Sequence, residues 1–458
     1  MIAKFKRSKH AKTLRYVRGL SASVMNQFPA SKMTVVGVTG TDGKTTTSNL
    51  IFHILKSAGY KVGLISTIFV KIFDGVSDKD YDTGFHVTSP GSFDTQKYLK
   101  EMVESGCTHA VVECTSHAFE QERYAGINFN VGVVTNITHE HLDYHKTFEK
   151  YVLSKSQLFR IDTRLPDKSI KMNTAIINQD DKAWELFKPY LAGWEVVGYG
   201  FNDFCKFHVI DVDYKVDGTN FVFQIEDANG EPVEQYTVSS PMVGDYNVSN
   251  LMAAITVCSK AGVAFSDIVK VIPNIPQLSG RFEKFESKNG LVVVDFAHTP
   301  NAMIHILTLA RQLAKGKIIT LFGCAGLRDV QKRKMMGEIS GEHSDITIVT
   351  SEDPRTENVE SIFDLIESGL IQAGSEKYPS LEVEKLVNVD IRASLGEHYP
   401  MYIRIDDRKK AIETAIRLGS DGDIILILGK GHEKSMCFGD TEIEWSDQEV
   451  VKATIDSL

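Results

Sequence analysis

Short apolar runs alternate with amphipathic segments along most of this chain of 458 residues. In its first half the pattern predicts strands at 61–68, 108–113 and 131–135 and a helix at 93–105. The region 201–243 changes character: apolar residues alternate with polar ones at 210–216 and 221–225, and Asp217-Gly218 and Asn229-Gly230 turns follow, which predicts antiparallel strands. Strands and helices that alternate at this spacing are typical of a parallel sheet with helices on both faces.

A second series of strands and helices begins after Pro273 and Pro276, which interrupt the pattern. Its predicted elements lie at 291–296, 302–313, 318–322, 330–339, 346–350, 401–405, 408–418 and 423–428, with a further helix from Val359. The predicted fold class is therefore α/β, with a basic N-terminal segment (1–32), a central domain with a mostly parallel sheet (33–276) and a C-terminal Rossmann-like α/β domain (277–458). Two such domains joined by a short linker are expected to form a substrate cleft.

The most specific motif follows the apolar run at 33–36, which predicts a strand, and its residues 38–47 read Val-Thr-Gly-Thr-Asp-Gly-Lys-Thr-Thr-Thr. A glycine-rich turn between a strand and a helix directs backbone N–H groups and the positive end of the helix dipole at an anion. Lys44 is expected to reach the β- and γ-phosphates of ATP, and the Thr45 hydroxyl to ligate Mg²⁺. The central domain is therefore predicted to be a P-loop ATPase. Its expected nucleotide contacts also include Gly40, Thr41, Asp42, Gly43 and Thr46.

Polar side chains also follow other predicted strands. Glu113 ends one strand and is expected to be a second Mg²⁺ ligand, because ligands bind at the carboxyl edge of such a sheet. The alternative is a helix N-cap, a role that suits Thr115 and Ser116. Residues 135–145 contain three histidines and two carboxylates, which favours contact with phosphate or a metal, and the upstream phosphate loop favours Mg²⁺. Asp295 ends a strand of the second series and is a further candidate ligand contact.

Composition and charge restrict the class of protein. Charged residues make up 24% of the chain and apolar residues 42%, as in an ordinary soluble protein. The sequence has neither a membrane-spanning apolar window nor a signal-peptide core, so we expect a cytoplasmic protein. Its six cysteines form no Cys-x-x-Cys pair, which argues against a zinc ribbon or a disulfide framework. A net charge of −9 argues against a nucleic-acid partner.

The charge is unevenly distributed, because residues 1–41 contain eight Lys or Arg residues and no acidic residue. Phe5, Leu14, Val17 and Leu20 lie between these basic residues. One interpretation is a basic amphipathic helix in peripheral contact with anionic lipid. The other, which we favour, is a solvated helix docked on the following domain.

The order of the motifs resembles the Mur ligases, the ATP-dependent amide-forming enzymes of peptidoglycan precursor synthesis. Within that family the likeness is to the MurE type, the tripeptide synthetases. It runs from about residue 33 to the C-terminus. The motifs that carry it, in the family's order, lie at 39–46, 113–117, 135–145, 244–250, 280–283, 295–300, 352–355 and 429–433.

The resemblance implies ATP and two Mg²⁺ ions as cofactors. It implies that Lys44, Thr45 and Glu113 hold phosphate and the first Mg²⁺. His141 and a carbamylated Lys155 are implied as ligands of the second Mg²⁺, since carbamylation replaces a cation with an anion. The implied nucleotide contacts outside the loop are Asn136, Asn250, Arg281 and Asp295. The residues implied to hold a muramoyl-peptide substrate are Thr88, Ser89, Ser116, Gln121 and Arg123.

The implied reaction transfers a phosphoryl group from ATP to the substrate's carboxylate, and the amine of an amino acid then attacks the acyl phosphate. Residues 352–355, Glu-Asp-Pro-Arg, resemble the D-N-P-R motif that reads meso-diaminopimelate in this family. The implied contacts with the amino acid are Asp353, Arg355, Gly429 and Glu433. Asp353 replaces an asparagine, and its extra negative charge favours a cationic side chain such as that of lysine. Both amino acids therefore stay open.

Family members of this type carry a separate N-terminal domain that grips uridine diphosphate, whereas about 33 residues precede the first strand in this chain. One alternative is therefore a related ligase with another acceptor, such as a polyglutamate chain, a folate or a lipid-linked glycopeptide. The matches at Ser116, Gln121 and Arg123 favour the muramoyl-peptide instead. A second alternative is a non-catalytic ATP-binding scaffold. Retention of Glu113, His141, Lys155 and Arg281 argues against it, because a scaffold needs no second metal.

Overall fold

The computed structural model describes residues 9–82, 89–138, 140–166, 172–227, 229–378 and 399–458, apart from the side chains of three residues within those ranges, Lys9, Asp82 and Asp143. The chain forms two compact units. The first extends to Pro276 and the second begins at Gln277, except that residues 140–144 cluster with the second unit. No helix among the described residues is long and apolar enough to cross a membrane.

The helices and strands are numbered in chain order. The α-helices are α1 Lys9–Met25, α2 Lys44–Ser57, α3 Ser92–Glu104, α4 Ser116–Glu120, α5 Leu142–His145, α6 Phe148–Ser156, α7 Asp245–Lys260, α8 Phe265–Val271, α9 Pro300–Leu313, α10 Gln331–His343, α11 Val359–Gln372, α12 Arg408–Leu418 and α13 Asp447–Asp456. The 3-10 helices are Pro29–Lys32, Gln157–Phe159, Lys182–Tyr190 and Ile272–Asn274. The strands are β1 Thr34–Thr39, β2 Val62–Ile65, β3 Phe69–Phe73, β4 Asp78–Asp82, β5 His109–Glu113, β6 Val131–Val134, β7 Thr174–Asn178, β8 Glu195–Gly200, β9 Phe207–Lys215, β10 Gly218–Glu226, β11 Pro232–Ser240, β12 Glu283–Ser287, β13 Gly290–Asp295, β14 Ile318–Phe322, β15 Ile346–Val349, β16 Glu376–Lys377, β17 Met401–Arg404, β18 Ile424–Leu428, β19 Ser435–Phe438 and β20 Thr441–Glu444.

In the described part of the first unit, one sheet has the strand order β11-β10-β9-β8-β7-β6-β1-β5-β2-β3-β4. The strands from β9 to β2 in this order pair in parallel, and β1 lies between β5 and β6. Both margins are antiparallel. Every residue of β1, β5, β6 and β7 is buried, as expected for parallel strands covered on both faces. The predicted α/β class with a mostly parallel sheet is confirmed.

Five strands of this sheet were not predicted: β3, β4, β7, β8 and β11. The segment at 201–243 contains three antiparallel strands, β9 to β11, and the last of them was missed because most of its side chains are exposed and polar. The hairpin of β3 and β4 was also missed. Asp78–Asp82 reads Asp-Lys-Asp-Tyr-Asp and lacks the apolar alternation that marks a strand. A charged strand of this kind suits a sheet edge, where it discourages pairing with another chain.

The second unit contains a sheet that, among the described residues, has the order β12-β13-β18-β14-β15-β17-β16. All of its neighbouring strands pair in parallel except β12 with β13. The core is aliphatic and includes Val292, Ile319, Ile348, Ile403 and Ile425. A separate ribbon is formed by β19 and β20. The Rossmann-like α/β class predicted for this part of the chain is confirmed.

One helix precedes the first sheet in sequence and packs on the first unit. Ala22 and Ser23 of α1 are fully buried. A Cβ atom on Gly19 would lie 2.8 Å from the Cβ of Ala125, so a larger residue does not fit at this contact. The helix is therefore docked along one side, as the favoured interpretation of the basic segment expected.

A buried ion pair links α12 to the start of α13 in the second unit. The Arg408 side chain is 1% exposed and that of Asp447 is fully buried. Arg408 Nε and Nη2 donate to the two Asp447 carboxylate oxygens at 2.8 and 2.7 Å. Nη2 also donates to the backbone oxygen of Leu428 at 2.9 Å, and Trp445 Nε1 donates to Asp447 at 2.8 Å. Because the Arg408 guanidinium and the Asp447 carboxylate neutralise each other, removing either side chain leaves the other charge buried without its partner.

We expect Asp447→Ala to destabilise the second unit by about 3–5 kcal/mol, since the Arg408 charge stays buried. Thermal unfolding followed by circular dichroism measures the effect. The control is Glu360→Ala, which breaks an ion pair between Arg404 and an exposed carboxylate. The control should leave the unfolding midpoint nearly unchanged. Equal midpoints for the two variants would contradict the assignment of Arg408 and Asp447 as a stabilising pair.

Candidate active site

The phosphate loop connects β1 to α2, and two of its glycines lie against neighbouring side chains. A Cβ atom on Gly40 would lie 1.8 Å from Oγ1 of Thr135. Gly43 has φ 79°, and a Cβ atom there would lie 2.2 Å from Oδ1 of Asn250. A side chain at either position would displace the loop or its support, so both positions require glycine. Asn250, in α7, also accepts a hydrogen bond from Thr47 Oγ1 at 3.1 Å.

The loop is held in place by the segment that follows β6. The backbone N–H of Thr41 donates to the Asn136 carbonyl at 2.8 Å, and the N–H of Asp42 donates to Asn136 Oδ1 at 2.8 Å. Thr135 Oγ1 donates to the Asp42 carbonyl at 2.6 Å. Lys44 Nζ donates to the Thr41 carbonyl at 2.7 Å, so this side chain lies along the loop. Asn136, expected to contact the nucleotide, is seen to position the loop.

A hydroxyl and a carboxylate meet at the N-terminus of α2. Thr45 Oγ1 donates to Glu113 Oε1 at 3.0 Å, and the N–H of Thr67 donates to Glu113 Oε2 at 3.1 Å. Glu113 is 2% exposed, and Thr46, the next residue of α2, is also buried. Thr115 caps α4 through its side chain, so the predicted N-cap lies beside Glu113 and does not replace it.

Mg²⁺ prefers hard oxygen donors as ligands. In phosphate sites this ion usually keeps several waters and binds only one or two protein groups. The pair of Thr45 and Glu113 therefore fits the metal that the phosphate loop requires. Over the described ranges, no group of three or more His, Cys, Asp or Glu side chains is arranged to hold a metal ion. The donor set thus suits a phosphate-bound Mg²⁺ better than a transition metal.

Lys155 lies beside the same loop. Its side chain belongs to α6, is 2% exposed and donates from Nζ to the Gly40 carbonyl. Nζ also lies 4.6 Å from the ring centre of Tyr151, whose hydroxyl is 3.0 Å from Thr41 Oγ1. A buried amino group in contact with the phosphate loop is placed to influence bound phosphate, whichever charge it carries.

The histidine-rich segment at 135–145 does not act as one cluster. His145 is buried in the first unit, where its Nε2 lies 3.0 Å from Ser116 Oγ. His141 lies in the segment that clusters with the second unit, has φ 55°, and approaches Glu140 Oε1 to 3.5 Å through Nδ1. His139 is outside the described residues. His141 and His145 thus belong to different units, and the expected contact of this segment with a metal or phosphate stays a prediction.

The residues predicted to hold the acceptor adjoin one another in the first unit. Arg123 donates from Nη1 to the Ser89 carbonyl, and from Nε and Nη2 to Gln121 Oε1 at 3.1 and 2.7 Å. The Tyr124 hydroxyl donates to Ser89 Oγ at 2.8 Å and orients it. Thr88 lies outside the described residues. The structure therefore brings Ser89, Gln121 and Arg123 into one hydrogen-bonded group.

In the second unit, Asp295 supports a turn that carries Arg281. Its two carboxylate oxygens accept from the N–H groups of Phe282 and Ala297, each at 2.7 Å. The Arg281 guanidinium lies over the Phe296 ring at 4.6 Å. Arg281 Nε is buried and has no hydrogen-bond partner among the residues that the structure describes. Asp295 is thus seen to position backbone, whereas Arg281 keeps a buried donor without a partner.

The Glu-Asp-Pro-Arg motif packs against the glycine-rich segment after β18. Asp353 Oδ1 accepts from Lys430 Nζ at 2.9 Å and from the Cys437 N–H at 3.0 Å. Lys430 also lies 2.6 Å from Glu433 Oε2. Burial opposes the charged form of Lys430, yet the carboxylates of Glu433 and Asp353 raise its pKa above the usual value. The Asp353 charge is therefore partly offset inside the protein by a cation that it shares with Glu433, which weakens the argument that it selects a cationic substrate.

Arg355 in the same motif has a strained backbone. Its φ is 55°, and its N–H donates to Cys437 while its carbonyl accepts from Gly439. Across the described ranges, its guanidinium has neither an ion-pair nor a hydrogen-bond partner. A non-glycine residue held at positive φ with an unused cation is typical of a ligand site.

Glu352 is the other departure from the family motif. It is 7% exposed, and its Oε2 has no partner among the described residues. Burial raises the pKa of the Glu352 carboxyl to about 7, and the nearby Lys332 charge opposes the shift. A Cβ atom on Gly429 would lie 2.6 Å from Glu352 Oε2, so glycine keeps this carboxyl in place.

Several residues of the site were not singled out from the sequence. Thr67 follows the end of β2, and the rule that ligands gather at the carboxyl ends of parallel strands would have found it. Lys430 lies inside the motif at 429–433 and Tyr151 lies one helical turn before Lys155, but the roles of both residues depend on packing. Tyr124 and Lys332 act through residues distant in sequence, and no local pattern marks them.

Two models of known domains match most of the chain. The Mur ligase middle domain matches residues 38–258, and the domain described as "Mur ligase, glutamate ligase domain" matches residues 280–431. The UDP-N-acetylmuramoyl-L-alanyl-D-glutamate–2,6-diaminopimelate ligase of Geobacillus kaustophilus is 33% identical over 93% of this chain and 80% of its own length. The UDP-N-acetylmuramyl-tripeptide synthetase of Borreliella afzelii is 35% identical over 96% of this chain and 81% of its own.

Solved structures agree with these matches. A structure titled as a UDP-N-acetylmuramoyl-L-alanyl-D-glutamate–2,6-diaminopimelate ligase has a TM-score of 0.59 and 27% identity, over 93% of this chain and 78% of its own. The folylpolyglutamate synthase of Mycobacterium tuberculosis has a TM-score of 0.68 over 90% and 92% of the two chains, but at 16% identity it shows the fold alone. The resemblance drawn from the motif order is confirmed: this chain belongs to the Mur ligase family.

Proposed function

We propose that this protein is an ATP-dependent ligase that adds an amino acid to a UDP-N-acetylmuramoyl-dipeptide through an acyl phosphate. The observation that carries the proposal is the hydrogen-bonded pair of Thr45 and Glu113 at the phosphate loop, in a member of a ligase family. The pair supports a site for ATP-bound Mg²⁺ in the first unit. The alternative of a non-catalytic scaffold is disfavoured because Lys155 is also built into the loop.

The chemistry begins with a carboxylate, which is a poor electrophile until one of its oxygens becomes part of a leaving group. A carboxylate oxygen of the acceptor bonds to the γ-phosphorus of ATP, and the bond to the departing ADP breaks. The amine then bonds to the carbonyl carbon, phosphate leaves, and the nitrogen loses a proton. Lys44 and the loop N–H groups offset the negative charge on the transferred phosphoryl group. When bound, Mg²⁺ supplies further charge neutralisation at the phosphate oxygens.

For the acceptor, the proposal rests on the group formed by Ser89, Gln121 and Arg123. Guanidinium, amide and hydroxyl groups are suited to a peptide and its carboxylate. The neighbour named as a folylpolyglutamate synthase shares the fold at 16% identity and does not support a folate acceptor. We place the reaction in the cytoplasm, since all six cysteines are free and buried, as is usual in a reducing compartment.

For the amino acid, we propose meso-diaminopimelate over lysine. The relatives at about one third identity include several named for 2,6-diaminopimelate. The charge of Asp353 is partly offset by Lys430, which it shares with Glu433, whereas the guanidinium of Arg355 is available for a second carboxylate. Lysine has no carboxylate on its side chain, so it would leave Arg355 unpaired. Gly429 and Glu433 are proposed as the remaining contacts.

The reaction predicts that release of phosphate from ATP requires both substrates. Purified protein should release phosphate with UDP-muramoyl-dipeptide and meso-diaminopimelate together, and not with either one alone. Lysine and ornithine, tested in turn, should support at most a small fraction of the rate. Phosphate release without any acceptor would show only ATP hydrolysis. Phosphate release that requires a folate or a polyglutamate would assign a different acceptor.

The amino-acid proposal predicts a role for Arg355. Arg355→Ala should raise KM for diaminopimelate about 10- to 100-fold, since a charge-assisted hydrogen bond contributes about 1.5–3 kcal/mol. The kcat should change less, because the lost contact holds the bound amino acid and does not take part in the chemical step. The matched control is Arg417→Ala, which removes an exposed arginine of α12. An unchanged KM for the Arg355 variant would remove this residue from the amino-acid site.

We also propose that Lys155 is carbamylated in the active protein and that, with His141, it binds the second Mg²⁺. Lys155→Arg keeps the positive charge but cannot form the carbamate. It should therefore lose at least about a hundredfold in kcat, while the wild-type rate rises with added bicarbonate. The matched control is Lys150→Arg, an exposed residue of the same helix. Full activity of the Lys155 variant in bicarbonate-free buffer would rule out a carbamate.

A further inference from the structure

Helix α1 is docked along one side and leaves an apolar stripe on the other. Four large apolar residues of the helix are exposed: Leu14 by 62%, Val17 by 53%, Val24 by 53% and Met25 by 70%. At about 100° per residue, all four fall within an arc of roughly 100° on the helix. We call this set the α1 stripe. Nothing in the fold covers the stripe among the described residues, since the opposite side makes the contact with the first unit.

A cation and an aromatic ring border the α1 stripe. Arg18 is exposed and its guanidinium lies 5.7 Å from the ring centre of Phe93, at the start of α3. Phe93 is itself 38% exposed, so the apolar surface continues from the helix onto its neighbour. Lys12 lies toward the docked side and is paired with Glu122 at 3.5 Å. The exposed margin of the stripe therefore combines aliphatic, aromatic and positively charged groups.

The charge of this region is opposite to that of the remainder of the protein. Residues 1–41 carry eight positive charges and no negative charge. Since the whole chain carries −9 and this segment +8, the other 417 residues carry −17. A negatively charged partner is attracted to the helix and repelled by the rest of the surface. Such a field favours one orientation of the protein on a negatively charged surface.

We propose that the α1 stripe docks on the surface of an anionic lipid bilayer. A bilayer surface offers negative headgroups beside an apolar boundary, the combination that the stripe and its arginine match. Nucleic acid offers negative charge without a place for four aliphatic side chains. The helix lies in the interface with Leu14, Val17, Val24 and Met25 toward the acyl region and Arg18 at the headgroups. This inference is independent of the proposed reaction.

Vesicle flotation with the full chain tests the proposal. Vesicles of phosphatidylglycerol and phosphatidylcholine should carry the protein to the top of the gradient, and vesicles of phosphatidylcholine alone should carry little. Raising the salt from 0.1 to 0.5 M should weaken binding severalfold, because screening shortens the range of the attraction. No flotation with either vesicle, or equal flotation with both, would overturn the proposal.

A pair of matched variants separates the stripe from a general effect of added charge. Val17→Asp should lower the apparent partition coefficient on anionic vesicles at least about tenfold. The reason is that it places a carboxylate where the bound helix would bury an apolar side chain in the bilayer. Val76→Asp makes the same exchange at a turn of the first unit where Val76 is 93% exposed. It should change the coefficient less than about twofold. Equal losses for both variants would contradict a specific role for α1.

Three further measurements keep the test decisive. The unfolding midpoints of both variants should match that of the wild type, and Arg18→Glu, which leaves the aliphatic residues intact, should also reduce binding to anionic vesicles. Light scattering without lipid should give the same mass for wild type and Val17→Asp. A concentration-dependent dimer that Val17→Asp abolishes would show instead that the stripe pairs two copies of the chain.

Discussion

The phosphate loop depends on being held from outside. A loop that presents its N–H groups to an anion cannot use them for its own folding, so other elements must fix its path. In this protein Thr135 and Asn136 after β6 bond to the loop backbone, Asn250 of α7 meets Gly43, and Lys155 of α6 bonds to Gly40. Three distant segments of the chain therefore converge on one short turn.

The convergence explains why the residues around the loop divide into two kinds. Some act on the loop itself, as Asn136 does through its hydrogen bonds to the loop backbone. Others, such as Thr45 and Glu113, bring oxygen atoms to the place where a phosphate-bound cation is expected. In the second unit the same division separates Asp295, which holds backbone N–H groups, from Arg281 and Arg355, whose guanidinium groups keep unused donors. Family membership assigns a role to each motif as a whole. The hydrogen bonds in the structure indicate which residues of a motif support the backbone and which present groups to a ligand.

Much of the fold could be predicted from the sequence, because buried parallel strands and amphipathic helices have strong periodic patterns. Strand 318–322 and helix 408–418 were predicted with the bounds that the structure has. The hairpin strand Asp78–Asp82 could not be predicted, since an exposed edge strand needs no apolar alternation. In the site, the phosphate loop was predictable from its motif. The ion pair between Asp353 and Lys430 was not predictable, because it depends on a contact between segments 77 residues apart.

The central claim is that the acceptor's carboxylate takes the phosphoryl group from ATP before the amide forms. The most direct test uses acceptor labelled with ¹⁸O in that carboxylate, turned over with ATP and diaminopimelate, followed by mass analysis of the inorganic phosphate. The account predicts that one ¹⁸O atom appears in phosphate for each amide bond made. Amide formation with unlabelled phosphate would contradict an acyl phosphate and, with it, the role of the phosphate loop in activating the acceptor.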